Sequence, residues 1–183
     1  MAIEGTALLA RERAEELAQA LGPALVARAA HLLIDPGISV VRDAAVLLTA
    51  GGVSALHDPT EGGFATGVRE LAVASGCGAV VNRALVPILP ETREIATFYG
   101  IDPLGMLASG SLLAAVTPEA VPAVEAACHE HRVPYSWVGK LTPADRGFMM
   151  IEGEEQRELP SFTSDEVSRA LAQMHGSTEE EGG

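Results

Sequence analysis

Aromatic side chains are scarce in this sequence: one Trp, two Tyr and four Phe make up 4% of 183 residues. Its core must therefore be built from Ala, Val, Leu and Ile, which favours close helix-on-sheet packing over an aromatic-lined pocket. Cysteine is scarcer still. Cys77 and Cys128 stand alone and far apart, with no C-x-x-C spacing to suggest a zinc or redox motif, and no secretory signal precedes them. They read as small apolar residues in a reducing cytoplasm. Positive charge is also short: 12 Lys and Arg against 25 Asp and Glu leave a net charge of −13. That argues against a nucleic-acid partner, whose phosphates demand basic patches, and against an anionic membrane surface. A nucleotide would need magnesium or a local arginine cluster to offset the field. The longest mostly apolar stretch, Ala44 to Leu56, is interrupted by Thr49, Gly51, Gly52 and Ser54, and it falls short of the roughly 20 residues that span a bilayer. Neither a dinucleotide-binding nor a Walker fingerprint is present, and no internal repeat is visible.

What is there reads as alternating helices and strands. Helical periodicity runs from Thr6 to Leu21, from Ala24 to Leu33 and from Val40 to Ala50, where Gly51-Gly52 ends it. Val53 to Leu56 reads as a strand and Val68 to Ala74 as the body of a helix closed by Ser75-Gly76. Gly78 to Asn82 follows as a strand, with Ala84 to Leu89 either extending it or turning. Pro90 opens a helix ending near Gly100, Leu112 to Val116 forms a buried strand, and Thr117-Pro118-Glu119 caps a helix over Ala120 to His131. Tyr135 to Val138 and Phe148 to Ile151 read as the last strands, the latter pairing near Glu158. A final amphipathic helix, Ser164 to His175, is expected to be capped by Ser164. Strands separated by helices predict an α/β (α+β) layered sandwich, a mixed β-sheet covered by helices. One domain over residues 1–175 is expected, followed by a disordered acidic tail over 176–183.

The segment that asks for a function is His57-Asp58-Pro59-Thr60-Glu61-Gly62-Gly63. Asp58 as N-cap, Pro59 in the first turn and Glu61 three residues on would make a capping box. Gly62 and Gly63 are harder to explain inside a helix, where each glycine costs about 0.8–1 kcal/mol relative to alanine. Two readings follow. Either an anion such as phosphate approaches bare amides at the helix start, or the glycines form a tight packing corner.

The same segment resembles the HDPT-x-GG signature of the HypE family of hydrogenase maturation factors. These belong to the superfamily of aminoimidazole ribonucleotide (AIR) synthase, selenophosphate synthetase and thiamine monophosphate kinase. Glu4 to Arg11, Pro90 to Ile95, and Gly100 to Gly110 followed by Ser111-Leu112-Leu113 resemble further family segments in matching order, from about Ile3 to Ile151. The resemblance implies the AIR synthase C-terminal-domain fold, from an ATP-dependent ligase- or dehydratase-type enzyme whose N-terminal domain holds ATP and magnesium. It implies that His57, Asp58, Thr60, Gly62 and Gly63, with Ser109 and Gly110, line the nucleotide-phosphate cleft, and that this chain carries no metal site of its own. Partners implied are a small phosphorylated ligand and either a second copy of the chain or a polypeptide supplying the missing N-terminal domain; a non-catalytic dimerisation or partner-binding module is the alternative. Three departures stand out. Glu61 occupies a position where the family usually has arginine, Gly110 one where it usually has glutamate, and no cysteine ends the chain to receive a carbamoyl group. Cyanide-forming chemistry is therefore not expected.

Three other features carry less. Asp102-Pro103 reads first as a turn cap. His129 and His131, two apart near a helix end, suit a helix C-terminus better than a metal. Arg93 either pairs with a carboxylate of its own helix or points towards the cleft that the resemblance implies.

Overall fold

The computed structural model describes residues 1–173; the expected acidic tail and the end of the last helix, from 174 onward, lie outside the described residues. Its elements in chain order are α1 (Ile3–Glu12), α2 (Ala14–Leu21), α3 (Pro23–His31), α4 (Val41–Ala50), β1 (Val53–His57), α5 (Gly63–Ala74), β2 (Cys77–Asn82) and α6 (Pro90–Tyr99). There follow β3 (Leu113–Val116), α7 (Val121–His131), β4 (Gly139–Pro143), β5 (Phe148–Glu152), β6 (Glu155–Glu158) and α8 (Glu166–Ala172). The mixed sheet covered by helices is present as β4-β2-β5-β6, with β2 parallel to β5 and antiparallel to β4. A second sheet, β1 with β3, is a separate antiparallel pair.

The apolar residues sort into three clusters. One joins α1, α2, α3 and α6 around Leu9, Leu17, Ile95 and Met106. Another packs α5 on the four-stranded sheet through Phe64, Val68, Val81, Met150 and Leu159. The third sets α4 and α7 on the two-stranded sheet around Leu47, Val124 and Cys128. With so few aromatics, alanines at 0% exposure (Ala7, Ala29, Ala65, Ala72) bring backbones close together, the dense interior that aliphatic cores achieve by interdigitation.

Several local expectations are corrected. The expected helix Thr6–Leu21 is two helices, broken at Arg13, whose φ of −123° and ψ of 35° leave the helical region; its guanidinium reaches across the fold to the Leu171 carbonyl at 2.8 Å. Tyr135–Val138 is not a strand. Pro134 has no N–H to donate, and side chains hold the segment instead: Ser136 Oγ donates to the Leu85 carbonyl and Trp137 Nε1 to Glu125. The strand begins at Gly139, where β4 meets Val81 of β2. Thr117 supplies no side-chain cap to the turn before α7. The last helix is capped by Asp165, not Ser164, through its own bond to the Val167 N–H. The expected pairing near Glu158 holds, with Met149 opposite Glu158.

Residues after β6 form a strap back across the domain. Arg69 on α5 donates to the Leu159 carbonyl, and Asp102 N–H donates to Glu166 Oε2 at 2.9 Å. Arg169 donates to the Gly100 carbonyl at 3.0 Å. Glu166 is buried at 6% exposure, which three hydrogen bonds from two partners make tolerable: one from Asp102 N–H and two from the Arg169 guanidinium.

Candidate functional site

The two stretches singled out in the sequence meet at one edge of the molecule. β1 ends at His57, which lies opposite Leu113 of β3. The chain then turns through Asp58 to Glu61 before α5 begins. The Thr60 carbonyl accepts two amides, Gly63 N–H and Ala108 N–H, each at 3.1 Å. That shared acceptor ties the turn after β1 to the loop carrying Ser109 and Gly110. Asp58, Thr60 and Glu61 are exposed, Gly62 and Gly63 are buried, and Ser109 and Gly110 are half-buried.

The helix start differs from the expected capping box. α5 begins at Gly63 with Gly62 as N-cap, and no side chain of its own segment caps it. Gly62 and Gly63 have φ of 73° and 67°, left-handed geometry that glycine adopts without steric cost. This reversal leaves Asp58 and Glu61 in the preceding turn, too far back to cap. The reason for Gly63 is a close approach: a Cβ there would lie 2.6 Å from the carbonyl oxygens of both Leu104 and Met106.

Nor are the two amides bare. Gly63 N–H is used by Thr60, and Gly62 N–H donates to Asp165 Oδ2 at 2.9 Å. The other oxygen of Asp165 accepts from Val167 N–H at 2.8 Å. A carboxylate delivered by the strap thus sits at the N-terminus of α5, where the peptide dipoles favour negative charge.

His57 has a partner that local spacing could not reveal. Its Nε2 lies 2.8 Å from Glu70 Oε2, about two turns into α5 and thirteen residues on in sequence. The pair is half open to water, with side-chain exposures of 31% and 57%, so it orients the ring more than it stabilises the fold. Asp58 is exposed as a residue, yet partial desolvation of its surroundings raises its carboxyl above the ordinary 3.8; His57 opposes this rise and Glu4 adds to it. Glu4 is therefore a member of this acidic edge that the sequence motif did not include.

The Asp58 shift has a measurable consequence. A folded-state pKa above the unfolded one means that the native protein binds this proton more tightly. Stability should therefore fall as pH rises from about 3.8 through the raised value, and the loss persists at neutral pH. Asp58→Asn removes that loss. Melting curves across this range should show the wild type losing ground to the variant with rising pH; parallel curves would contradict it.

Asp102 does cap its turn, accepting from Leu104 N–H at 3.0 Å, and also clamps Arg83 with both oxygens. Cys128 is buried and Cys77 half-buried, and both are free. Among the described residues, no cluster of His, Cys, Asp and Glu is arranged to hold a metal, and no helix is long and apolar enough to cross a membrane. The two described cavities lie elsewhere: Arg93 and Pro103 line one of them, but none of His57, Asp58, Thr60, Gly62, Gly63, Ser109 and Gly110 does. The site is an edge, part exposed and part half-buried, that neither described cavity adjoins.

The glycine-turn joint between β1, α5 and the 104–110 loop coincides with a family match. Residues 1–152 match the family of AIR synthase related proteins, C-terminal domain, and the chain belongs to that family. It is similar to the carbamoyl dehydratase HypE of Rhizobium leguminosarum bv. viciae, 35% identical over 119 residues, covering 60% of this chain and 33% of the relative. Its fold is similar to the crystal structure of Escherichia coli HypE, a hydrogenase maturation protein, with a TM-score of 0.63 at 28% identity over 72% of this chain and 42% of that one. A HypE solved in complex with ATP is similar with a TM-score of 0.58 at 26% identity, over 67% of this chain and 39% of that one. The matched part thus amounts to about a third of the curated relative's length. Asp165 and the rest of the strap lie beyond the matched residues.

Proposed function

We propose that this chain is the C-terminal domain, over residues 1–175, of a HypE-like, ATP-dependent assembly that belongs to the cytoplasm and to hydrogenase maturation. In this reading it contributes one wall of a nucleotide cleft whose other wall comes from an N-terminal domain. The observation that carries the reading is the joint itself. The Thr60 carbonyl binds the 57–63 turn to the 108–110 loop, so exposed Asp58 and Thr60 and half-buried Ser109 and Gly110 share a single edge that neither described cavity adjoins. An edge of that kind suits half of a site.

The residues present do not fit a triphosphate by themselves: Gly62 N–H is taken by Asp165, His57 is engaged by Glu70, and the remaining charged groups, Asp58, Glu61 and Glu4, are acidic. Nor, among the described residues, are those carboxylates gathered into a cluster that could hold magnesium. Phosphate and metal would then be held by the partner wall. What this chain offers is the Thr60 and Ser109 hydroxyls, the Asp58 carboxyl and an imidazole fixed in orientation.

Titration calorimetry tests this reading. The chain alone should give weak or no heat with ATP and magnesium, and a complex with the N-terminal domain of a HypE relative should bind measurably. Asp58→Ala and Thr60→Ala in that complex should each weaken binding by roughly tenfold, the value of one or two polar contacts. A completed complex that binds no nucleotide, or variants that bind as the wild type does, would overturn it.

A second reading, a non-catalytic dimerisation or partner-binding module, has its own support. Val41, Ala45 and Leu48 recur at helical spacing along the outer face of α4, and Val41 and Leu48 are 76% and 62% exposed. Ile34, 70% exposed, and Ile38 extend the apolar surface towards Gly110, whose backbone approaches Ile38. Such a stripe is more apolar than an isolated helix face needs to be. Light scattering after size exclusion separates the two: self-association lost in Val41→Ser/Leu48→Ser favours the module, a monomer at all concentrations disfavours it.

A further inference from the structure

A cavity of about 470 Å³ opens between the turn after β2, the outer face of α6 and the loop that follows α6. It is well separated in sequence from the glycine corner and shares no residue with it. Val86, Ala96 and Ile101 form its apolar floor and are themselves buried in the core, so the floor is fixed. Ile88 and Pro103 extend that apolar lining. Two arginines, Arg83 and Arg93, face the same space, in a protein whose net charge is −13.

The two arginines differ in what holds them. Arg83 is fully engaged: its two terminal nitrogens bond the two Asp102 oxygens at 3.1 and 3.0 Å, and its Nε lies 3.2 Å from Glu152. Glu152 also pairs with Arg157. Arg93 has no polar partner among the described residues, whereas Arg28, Arg69 and Arg169 each meet a carboxylate. Taken together, Arg83, Arg93 and Arg157 against Asp102 and Glu152 leave one positive charge at the cavity. Thr97, one helical turn after Arg93, places a hydroxyl on the same rim.

We propose that this cavity binds a small organic monoanion with an apolar body, its acidic group on Arg93 and its body against Val86, Ile88, Ala96 and Ile101. The volume falls within the range of small-molecule sites, about 300–1,000 Å³, and an apolar lining with one or two convergent polar groups is their usual composition. A guanidinium without a protein carboxylate is free to take one from a ligand. One excess charge and an apolar floor suit a monoanionic carboxylate or sulfonate, not inorganic phosphate, whose second charge and hydration shell would find no counterpart.

Anilinonaphthalene sulfonate is a suitable probe, because it joins an acidic group to an apolar body and reports burial by fluorescence. The wild-type chain should show saturable binding at one site, and octanoate should displace the dye while inorganic phosphate at equal concentration does not. Arg93→Gln should weaken binding by roughly tenfold or more, since a charge-assisted hydrogen bond is lost, with Arg93→Lys in between. Thr97→Trp, at an exposed position, should fill the cavity and abolish the site. The dye also reports exposed apolar surface, so Val41→Ser/Leu48→Ser serves as the control and should leave the saturable component unchanged. Wild-type binding retained in Arg93→Gln, no saturable binding at all, or displacement by phosphate as effective as by octanoate would each overturn the proposal. Arg93 has no partner to lose, so its variants should melt with the wild type and carry the test even if Thr97→Trp fails to fold.

Discussion

Gly63→Ala is expected to destabilise the protein by about 2–5 kcal/mol, the combined effect of left-handed backbone geometry on a residue with a Cβ and of overpacking. The new Cβ would meet the Leu104 and Met106 carbonyl oxygens at 2.6 Å. Both belong to backbone that is itself held: Ala108 N–H on Thr60 fixes one end of this loop and the Asp102 cap fixes the other. Neither oxygen can move aside without breaking the joint on which the candidate site rests. In a domain of this size the change should lower the melting temperature by roughly 5–15 °C. Gly62→Ala provides the internal comparison. Its φ is similar, 73° against 67°, but the atoms a Cβ would meet belong to one side chain, Thr66 Oγ1 at 2.4 Å and Thr66 Cβ at 3.0 Å, which can yield only in part because threonine is stiff at χ1. Its cost should exceed the conformational part, about 1–2 kcal/mol, yet stay below that at 63, where two backbone oxygens are struck. Thermal or urea denaturation of both variants decides the matter. An alanine at 63 tolerated as well as one at 62 would mean that the close approach of α5 to the 104–106 loop is not a feature of the folded protein.

That contrast also shows where the sequence was legible. A periodic helix with punctuation at both ends could be read directly. α6 starts at Pro90 and stops at Gly100, whose φ of 61° makes it the left-handed end residue. The two glycines at 62 and 63 announced themselves as unusual because helix interiors disfavour them, and both opposing explanations offered for them rested on that fact. The choice between bare amides and a packing corner could not be made locally, because the deciding atoms lie far along the chain: Leu104 and Met106 against Gly63, and Asp165 on Gly62, 103 residues away. Glu70 as the partner of His57 was hidden for the same reason. The two sheets could not be told apart from their strands, since β1 and β3 are short, mainly apolar runs like β2 and are set apart by what they pair with. The family pattern brought Ser109 and Gly110 to the same list as Thr60, and the bond from Ala108 N–H to the Thr60 carbonyl is the contact that joins them. The cavity at Arg93 left no mark in any single segment, because its walls come from the 83–88 turn, α6 and the 100–103 loop.

Asp165→Ala should have the second large effect, and it separates the two readings of the glycine corner. One side chain serves two amides, Gly62 N–H at 2.9 Å and Val167 N–H at 2.8 Å. Truncating it removes the N-cap of α8 and leaves the buried Gly62 amide without an acceptor, a cost of about 2–4 kcal/mol from the two losses. Asp165→Asn keeps an acceptor oxygen for one of the two amides and should fall between the variant and the wild type. The strap itself should remain docked, because Glu166 on Asp102 N–H, Arg169 on the Gly100 carbonyl and Arg69 on the Leu159 carbonyl do not depend on residue 165. The corner would then present a free amide at a helix start with its native backbone intact. If negative charge is what this amide requires, inorganic phosphate should raise the melting temperature of Asp165→Ala and leave the wild type unmoved, because in the wild type the strap's own carboxylate already fills the position. Phosphate that stabilises neither protein would make the corner a packing joint whose amide needs only a hydrogen-bond acceptor, and Asp165→Asn should then recover most of the lost stability.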